Sequence, residues 1–225
     1  MTSYSALQLE NDILSEVVGH LPQLQLDYQN SSNRGFDYEN LHKQGPFDTS
    51  PGLNDYFLAS GAKKTDLMSG EALGVHAGLF VSSRLMELLS KFPLGRHAFY
   101  PVPVQTVHPE DREEDTEVEV LLYYFLHLAF EDESQVDYSR SVLVNQIAMD
   151  EVLEIESQGD IDAAKEKFKF PFWKKVAFKS PLAMFRLYNS TKIYISPELA
   201  EAMKSAGITA AKIVPAYKGL EVEYD

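Results

Sequence analysis

The sequence predicts an α+β protein: a mixed sheet with two similar strand–helix–strand units packed in one domain. Three observations predict it. Residues 79–101 (LFVSSRLMELLSKFPLGRHAFYP) align without a gap to residues 193–215 (IYISPELAEAMKSAGITAAKIVP) at an offset of 114. Each copy passes from strand-type residues to a helical stripe and back to strand-type residues. Between the copies, residues 118–128 form a β-branched, aromatic-rich run flanked by acidic turns.

In chain order, Tyr4, Ala6 and Leu7 suit the beginning of a strand. Ile13, Leu14, Val17 and Val18 suit a short helix face ended by Pro22. Residues 26–70 are dense in turn formers, as in QNSSNRGFD and GPFDTSPGLND. Residues 1–74 are therefore expected as a loop-rich region packed on a main domain of residues 75–225. In the first copy, Leu79, Phe80 and Val81 read as a strand. Ser82 takes the N-cap position, where its hydroxyl accepts a free backbone N–H. Leu85, Leu88, Leu89 and Phe92 follow at i, i+3, i+4 and i+7, one buried helix face. Pro93 ends that helix, and residues 97–100 form a strand. Residues 141–147 and 185–187 are further strand candidates. The second copy repeats the order with Ile193, Tyr194 and Ile195, the cap Ser196, and Pro197 at the first helical position, where a missing N–H costs nothing. Leu199, Ala202, Met203 and Ala206 repeat the stripe. Gly207 supplies a left-handed cap, and residues 211–214 return to strand. Identities between the copies are few: Ser82 with Ser196, Leu85 with Leu199, Glu87 with Glu201, and Pro101 with Pro215.

The chain has 225 residues, 44% hydrophobic and 12% aromatic, which is enough to bury a core without metals or cross-links. It has no cysteine, which excludes disulfides, thiolate zinc sites and cysteine nucleophiles and fits a reducing compartment. Lys and Arg number 20 against 34 Asp and Glu, a net charge of −14. Such a surface repels phosphate backbones, so no nucleic-acid partner is expected, and it favours encounter with a basic protein. The start lacks a basic segment followed by an apolar run, and no stretch approaches the length of a membrane span. The expectation is a cytoplasmic protein without membrane contact.

Catalytic patterns are missing. There is no phosphate-binding glycine loop, no GxSxG and no HExxH. His20, His42, His76, His97, His108 and His127 are scattered, without metal-ligand spacing. No catalytic residue, metal or cofactor is assigned. His127, inside the apolar run, reads as a core or strand histidine rather than a general base. Residues 110–119, EDREEDTEVE, carry seven acids and one arginine. They lack the glycine and the spaced carboxylate ladder of a calcium loop. They read as a solvated loop that also offers a negative patch to a cationic partner. Asp150, Glu151, Glu154, Glu156, Asp160 and Asp162 form a second acidic run. Residues 165–179, KEKFKFPFWKKVAFK, invert the charge. The alternation of Lys167, Phe168, Lys169 and Phe170 suits a half-buried strand, so the segment reads as structural.

Several of these stretches resemble a known family. Phe185-Arg186-Leu187, then Ile193 through Leu199, then Ala206-Gly207-Ile208-Thr209 and Ile213-Val214-Pro215 resemble the C-terminal signature of the Imm11 immunity proteins of bacterial polymorphic toxin systems. Residues 79–89 resemble that family's first serine-capped helix, and Phe99-Tyr100-Pro101-Val102 the strand after it. Residues 122–128, with Asp137 and Ser139, resemble its central part. The resemblance spans about residues 75–219. It implies a protein made beside a toxin that binds and neutralises it by occlusion, with no catalytic residues of its own. An acidic inhibitor would suit a basic nuclease toxin. The contacts expected on this reading are Glu110, Asp111, Glu113, Glu114, Asp115 and Glu117, with Phe172 and Trp173 as aromatic anchors. The competing readings are an enzyme using Glu71, His76, His97 or His127 on an unrecognised fold, and an accessory or scaffold protein of a secretion apparatus.

Overall fold

A computed structural model describes residues 2–9, 16–27, 53, 56–70, 78–108, 111, 117–145, 151–168, 171–216 and 219–225. In chain order the elements are β1 (Thr2–Ser3), β2 (Ser5–Leu9), β3 (Leu24–Leu26), β4 (Tyr56–Leu58), β5 (Leu67–Met68), β6 (Gly78–Ser82), α1 (Ser83–Leu89), β7 (His97–Gln105) and β8 (Val120–Leu128). They continue with β9 (Val136–Asn145), β10 (Val152–Leu153), α2 (Gln158–Phe168), β11 (Pro171–Phe178), β12 (Met184–Arg186), β13 (Ile193–Ile195), α3 (Pro197–Ser205), β14 (Ala211–Pro215) and β15 (Glu221–Tyr224). The fold is α+β, with parallel and antiparallel pairs in its sheets.

The strands form three sheets, in the orders β1-β15-β11-β9-β10, β12-β13-β2-β14 and β3-β4-β7-β8-β6-β5. The 114-residue offset survives in the pairing. In the first copy, β6 and β7 flank β8, and Leu126 pairs with both Leu79 and Phe99. In the second, β13 and β14 flank β2, and Leu7 pairs with both Ile193 and Ile213. The outer strands match too: Leu67 lies against Val81 and Met184 against Ile195. The middle strand follows its copy in one case and precedes it in the other. Residues 2–9 and 56–68, which the sequence places in an N-terminal region, thus supply strands to all three sheets.

Both helices start alike because both begin at a serine in extended conformation. Ser82 (φ −65, ψ 161) accepts from the Leu85 amide at 3.1 Å, and Ser196 (φ −69, ψ 158) from the Leu199 amide at 3.2 Å. Gly207, at φ +63, turns the chain after α3, where the Ile208 amide reaches the Met203 carbonyl. The stripes enter one apolar cluster, Leu85 and Leu89 from α1 with Leu199 and Met203 from α3. Period-2 alternation divides the strands between layers. Leu79, Val81, Leu126 and Leu128 join that cluster, whereas Phe80, Tyr100, Val102 and Phe125 build another on the opposite sheet face. Phe185 and Tyr194 turn away toward a third cluster, shared with Trp173, Val176 and Phe178 of β11.

The two copies are stitched together by Asp66, which is 8% exposed. Its carboxylate accepts from the Ser82 hydroxyl at 2.7 Å, the Thr209 amide at 3.0 Å and the Thr209 hydroxyl at 3.1 Å, and pairs with Arg84 at 3.4 Å. Arg84 also donates to the Ala206 carbonyl. The loop ahead of β14 is therefore tied to the cap of α1. Ser196 has no such second role among the hydrogen bonds described. Ser196→Ala should cost about 1 kcal/mol. Ser82→Ala should cost about 1 kcal/mol more, because it also strips a donor from a buried carboxylate. Urea unfolding of both variants tests the ordering; equal losses would remove Ser82 from the joint.

Some local expectations need revision. Lys167 and Phe168 are not strand residues; they close α2, whose start is fixed where Asp160 accepts from the Glu156 and Ser157 amides at 2.9 and 2.8 Å. The strand begins only at Pro171, and Lys169 and Phe170 lie outside the described residues. Val17 and Val18 lie in a turn, and Ile13 and Leu14 lie outside the described residues. Among the described residues, no helix is long and apolar enough to cross a membrane.

Candidate functional site

The acidic segment springs from the β7–β8 hairpin, whose regular pairing ends at Gln105 and Val120. One more rung holds its stem: the Thr106 amide donates to the Glu119 carbonyl at 3.0 Å, and the Glu119 amide to the Thr106 hydroxyl at 3.2 Å. The Asp111 amide then reaches back to the His108 carbonyl at 3.0 Å. His108 rests edge-on against Phe57, with ring centres 4.2 Å apart. A hollow of about 390 Å³ opens here, lined by Gln25, Phe57, Ser60, Thr106, His108 and Asp111 among others.

The same end of β8 exposes apolar side chains. Val120 is 60% exposed and Leu122 is 50% exposed. They occupy alternate positions and so share a face with the buried Leu126 and Leu128. Geometry explains the difference. A seven-residue helix is about 10 Å long, and a nine-residue strand about 30 Å. Helix α1 therefore covers only part of the strand beneath it. Leu122 lies opposite Pro103, which extends the apolar surface to β7. The same end of the sheet carries the exposed acids Asp111 and Glu117, and Glu119, which pairs with Lys64 at 2.6 Å. That pair is 49% and 59% exposed and contributes little to stability. Exposed apolar side chains at a strand end that also carries acids are a surface a protein partner can cover.

Of the expected contacts, Asp111 and Glu117 are exposed at this end of the six-stranded sheet. Glu110, Glu113, Glu114 and Asp115 lie outside the described residues. Phe172 and Trp173 belong to β11, in a different sheet. Phe172 is half-buried and pairs with Val144. Trp173 is 4% exposed; its indole N–H donates to the Tyr188 carbonyl at 2.8 Å and its ring stacks on Tyr138. It serves the core and is not accessible as an anchor. Its lysine neighbours are used locally as well: Lys175 pairs with Glu223 at 3.2 Å, and Lys179 donates to the Glu133 carbonyl.

Of the alternative catalytic positions, His97 and His127 are described, and they stand on different strands. His127 is fully buried, stacked on Phe125 within β8. His97 opens β7, with Nδ1 2.7 Å from the Gly95 carbonyl. Glu71 and His76 lie outside the described residues. Among the described residues, no group of three or more His, Asp and Glu could hold a metal ion. Among the described residues, burial pushes the carboxyl of Glu131, 1% exposed, up from 4.5 to about 7 against the opposing pull of Arg96. Its Oε1 accepts from the Arg96 amide at 2.8 Å, in space that a Cβ on Gly95 would invade. Arg186, 1% exposed, lies over the Phe130 ring and is pushed down to about 10 by burial. Both groups sit where β12 meets the chain after β8, through the 3.0 Å bond from the Glu131 amide to the Arg186 carbonyl. They are joints of the framework rather than parts of a cleft.

Compared with known proteins, the chain matches no family model and no curated protein.

Proposed function

We propose that this protein is an immunity protein, acting in the cytoplasm by binding a cognate bacterial toxin and covering its working surface. The observation that carries the reading is the uncovered end of β8, where Val120 and Leu122 are exposed, at the same end of the sheet as the exposed acids Asp111, Glu117 and Glu119. The resemblance of residues 75–219 to the Imm11 proteins agrees with it. Desolvated apolar side chains would hold the complex, and the acids at that end would speed encounter with a basic toxin, such as a nuclease. With 34 acids against 20 basic residues, the whole surface would draw in such a partner.

The test is co-expression with a toxic C-terminal domain, sought among the genes on either side of this chain's own. Growth should be restored by the wild type. Leu122→Glu should weaken binding at least tenfold through faster dissociation. Asp111→Lys combined with Glu117→Lys should mainly slow association and flatten its salt dependence. A toxin that kills equally with and without the protein overturns the function. Protection retained in full by Leu122→Glu moves the contact to another face.

A further inference from the structure

The repeat predicts its own symmetry, and one departure from that symmetry leaves an empty place. Beside α3 a groove of about 620 Å³ is lined by Ser5, Ala200, Met203, Ile208, Ala211 and Ile213, with Glu201 and Lys204 on the helix above. The strand pairing and the 114-residue offset identify the matching residues in the first copy. Tyr124 stands where the second copy has Ser5, Met86 where it has Ala200, His97 where it has Ala211, and Phe99 where it has Ile213. In the first copy these larger side chains fill the space themselves. Met86, Phe99 and Tyr124 pack half-buried on the common core, and His97 meets Phe99 edge-on. In the second copy the same backbone carries smaller side chains, and the volume stays open.

The outer side of β7 takes β4 in parallel only past the repeat, at Val104 and Gln105, and not along residues 97–101, which match β14. Among the described residues, β14 pairs only with β2, and its outer edge is open beside the groove. We infer that this groove is a docking site for a basic protein partner that inserts one aromatic side chain beside β14. The partner supplies what Tyr124 and Phe99 supply internally in the first copy. A second copy of this chain is the poorer occupant, since each would bring a net charge of −14. The inference does not depend on the toxin reading, and it concerns a different sheet from the end of β8.

The probe is the peptide acetyl-Lys-Tyr-Lys-amide, titrated into the full chain while the alanine, isoleucine and methionine methyl signals are followed by NMR. Acetyl-Lys-Ala-Lys-amide is the control. Saturable shifts are expected at Ala200, Met203, Ile208, Ala211 and Ile213 with the tyrosine peptide, and at least tenfold weaker ones with the control. Ala200→Met installs the first copy's own filling and should abolish the response. If that variant loses its dispersed spectrum, Ala211→His makes the same test from the strand side. No shift with millimolar tyrosine peptide overturns the inference, as does an undiminished response in a folded filled variant. Concentration-dependent broadening of the same methyls without peptide also overturns it, in favour of self-association.

Discussion

Replacing Asp66 by alanine is expected to destabilise the protein by about 3 to 5 kcal/mol, the range for removing one partner of a buried charged network. The variant leaves the Ser82 hydroxyl and the Thr209 amide without their acceptor, 2.7 and 3.0 Å from the missing oxygens. It also removes the carboxylate that Arg84 meets at 3.4 Å. Arg84 is 57% exposed, so its charge adds little beyond the hydrogen bonds. Asp66→Asn should cost less, because one carbonyl oxygen remains to accept. The measurement is the urea midpoint at constant m-value. Combined with Ser82→Ala, the losses should fall short of additive, since both variants break the same bond. A loss under about 1 kcal/mol for Asp66→Ala would mean that the copies are held without this carboxylate.

The second large effect is one of pH. Glu131 has its folded value raised from 4.5 to about 7, chiefly by burial. A raised acid binds its proton more tightly when folded, so its contribution is fully present below about 4.5 and is lost as pH rises toward 7. The full difference is about 3 kcal/mol at the linkage rate of about 1.4 kcal/mol per pH unit. Arg96 and Asp132 also face this carboxyl, the first favouring its ionised form and the second opposing it. Asp132, Asp137 and Glu223 have lowered values and act in the opposite direction, so the wild-type curve alone does not isolate the group. Glu131→Gln does. The variant keeps an acceptor for the Arg96 amide and cannot ionise. It should match the wild type near pH 4.5 and exceed its stability above pH 7, by up to about 3 kcal/mol. Parallel stability curves would show that the carboxyl ionises in the fold without penalty.

The features legible in the sequence are those written in short range. Ser82, Ser196, Pro197 and Gly207 announce helix ends because capping acts within a few residues. The stripes of α1 and α3 were visible because burial on one helix face imposes its own spacing. The middle strands were not, since nothing local says that Leu7 and Leu126 hold equivalent places. Asp66 was silent for a similar reason: one acid joins groups 16 and 143 positions away and leaves no pattern. Val120 and Leu122 were hidden inside a continuous apolar run, where alternation cannot tell the covered half of a strand from the uncovered half. Trp173 misled in the opposite direction. The toxin-binding reading takes it as an anchor, but alternate positions at the start of β11 face opposite ways, and Trp173 takes the inner one.

The place of β2 also shapes how this molecule comes together. Its partners β13 and β14 lie at the other extreme of the described chain, so Leu7 and Ile213 must close a loop of most of the polypeptide before they meet. Loop-closure entropy grows only slowly with such lengths, but contacts of this separation set a slow folding rate. Until they form, the last strands stand with bare edges, the condition under which two molecules can exchange a segment and lock as a pair.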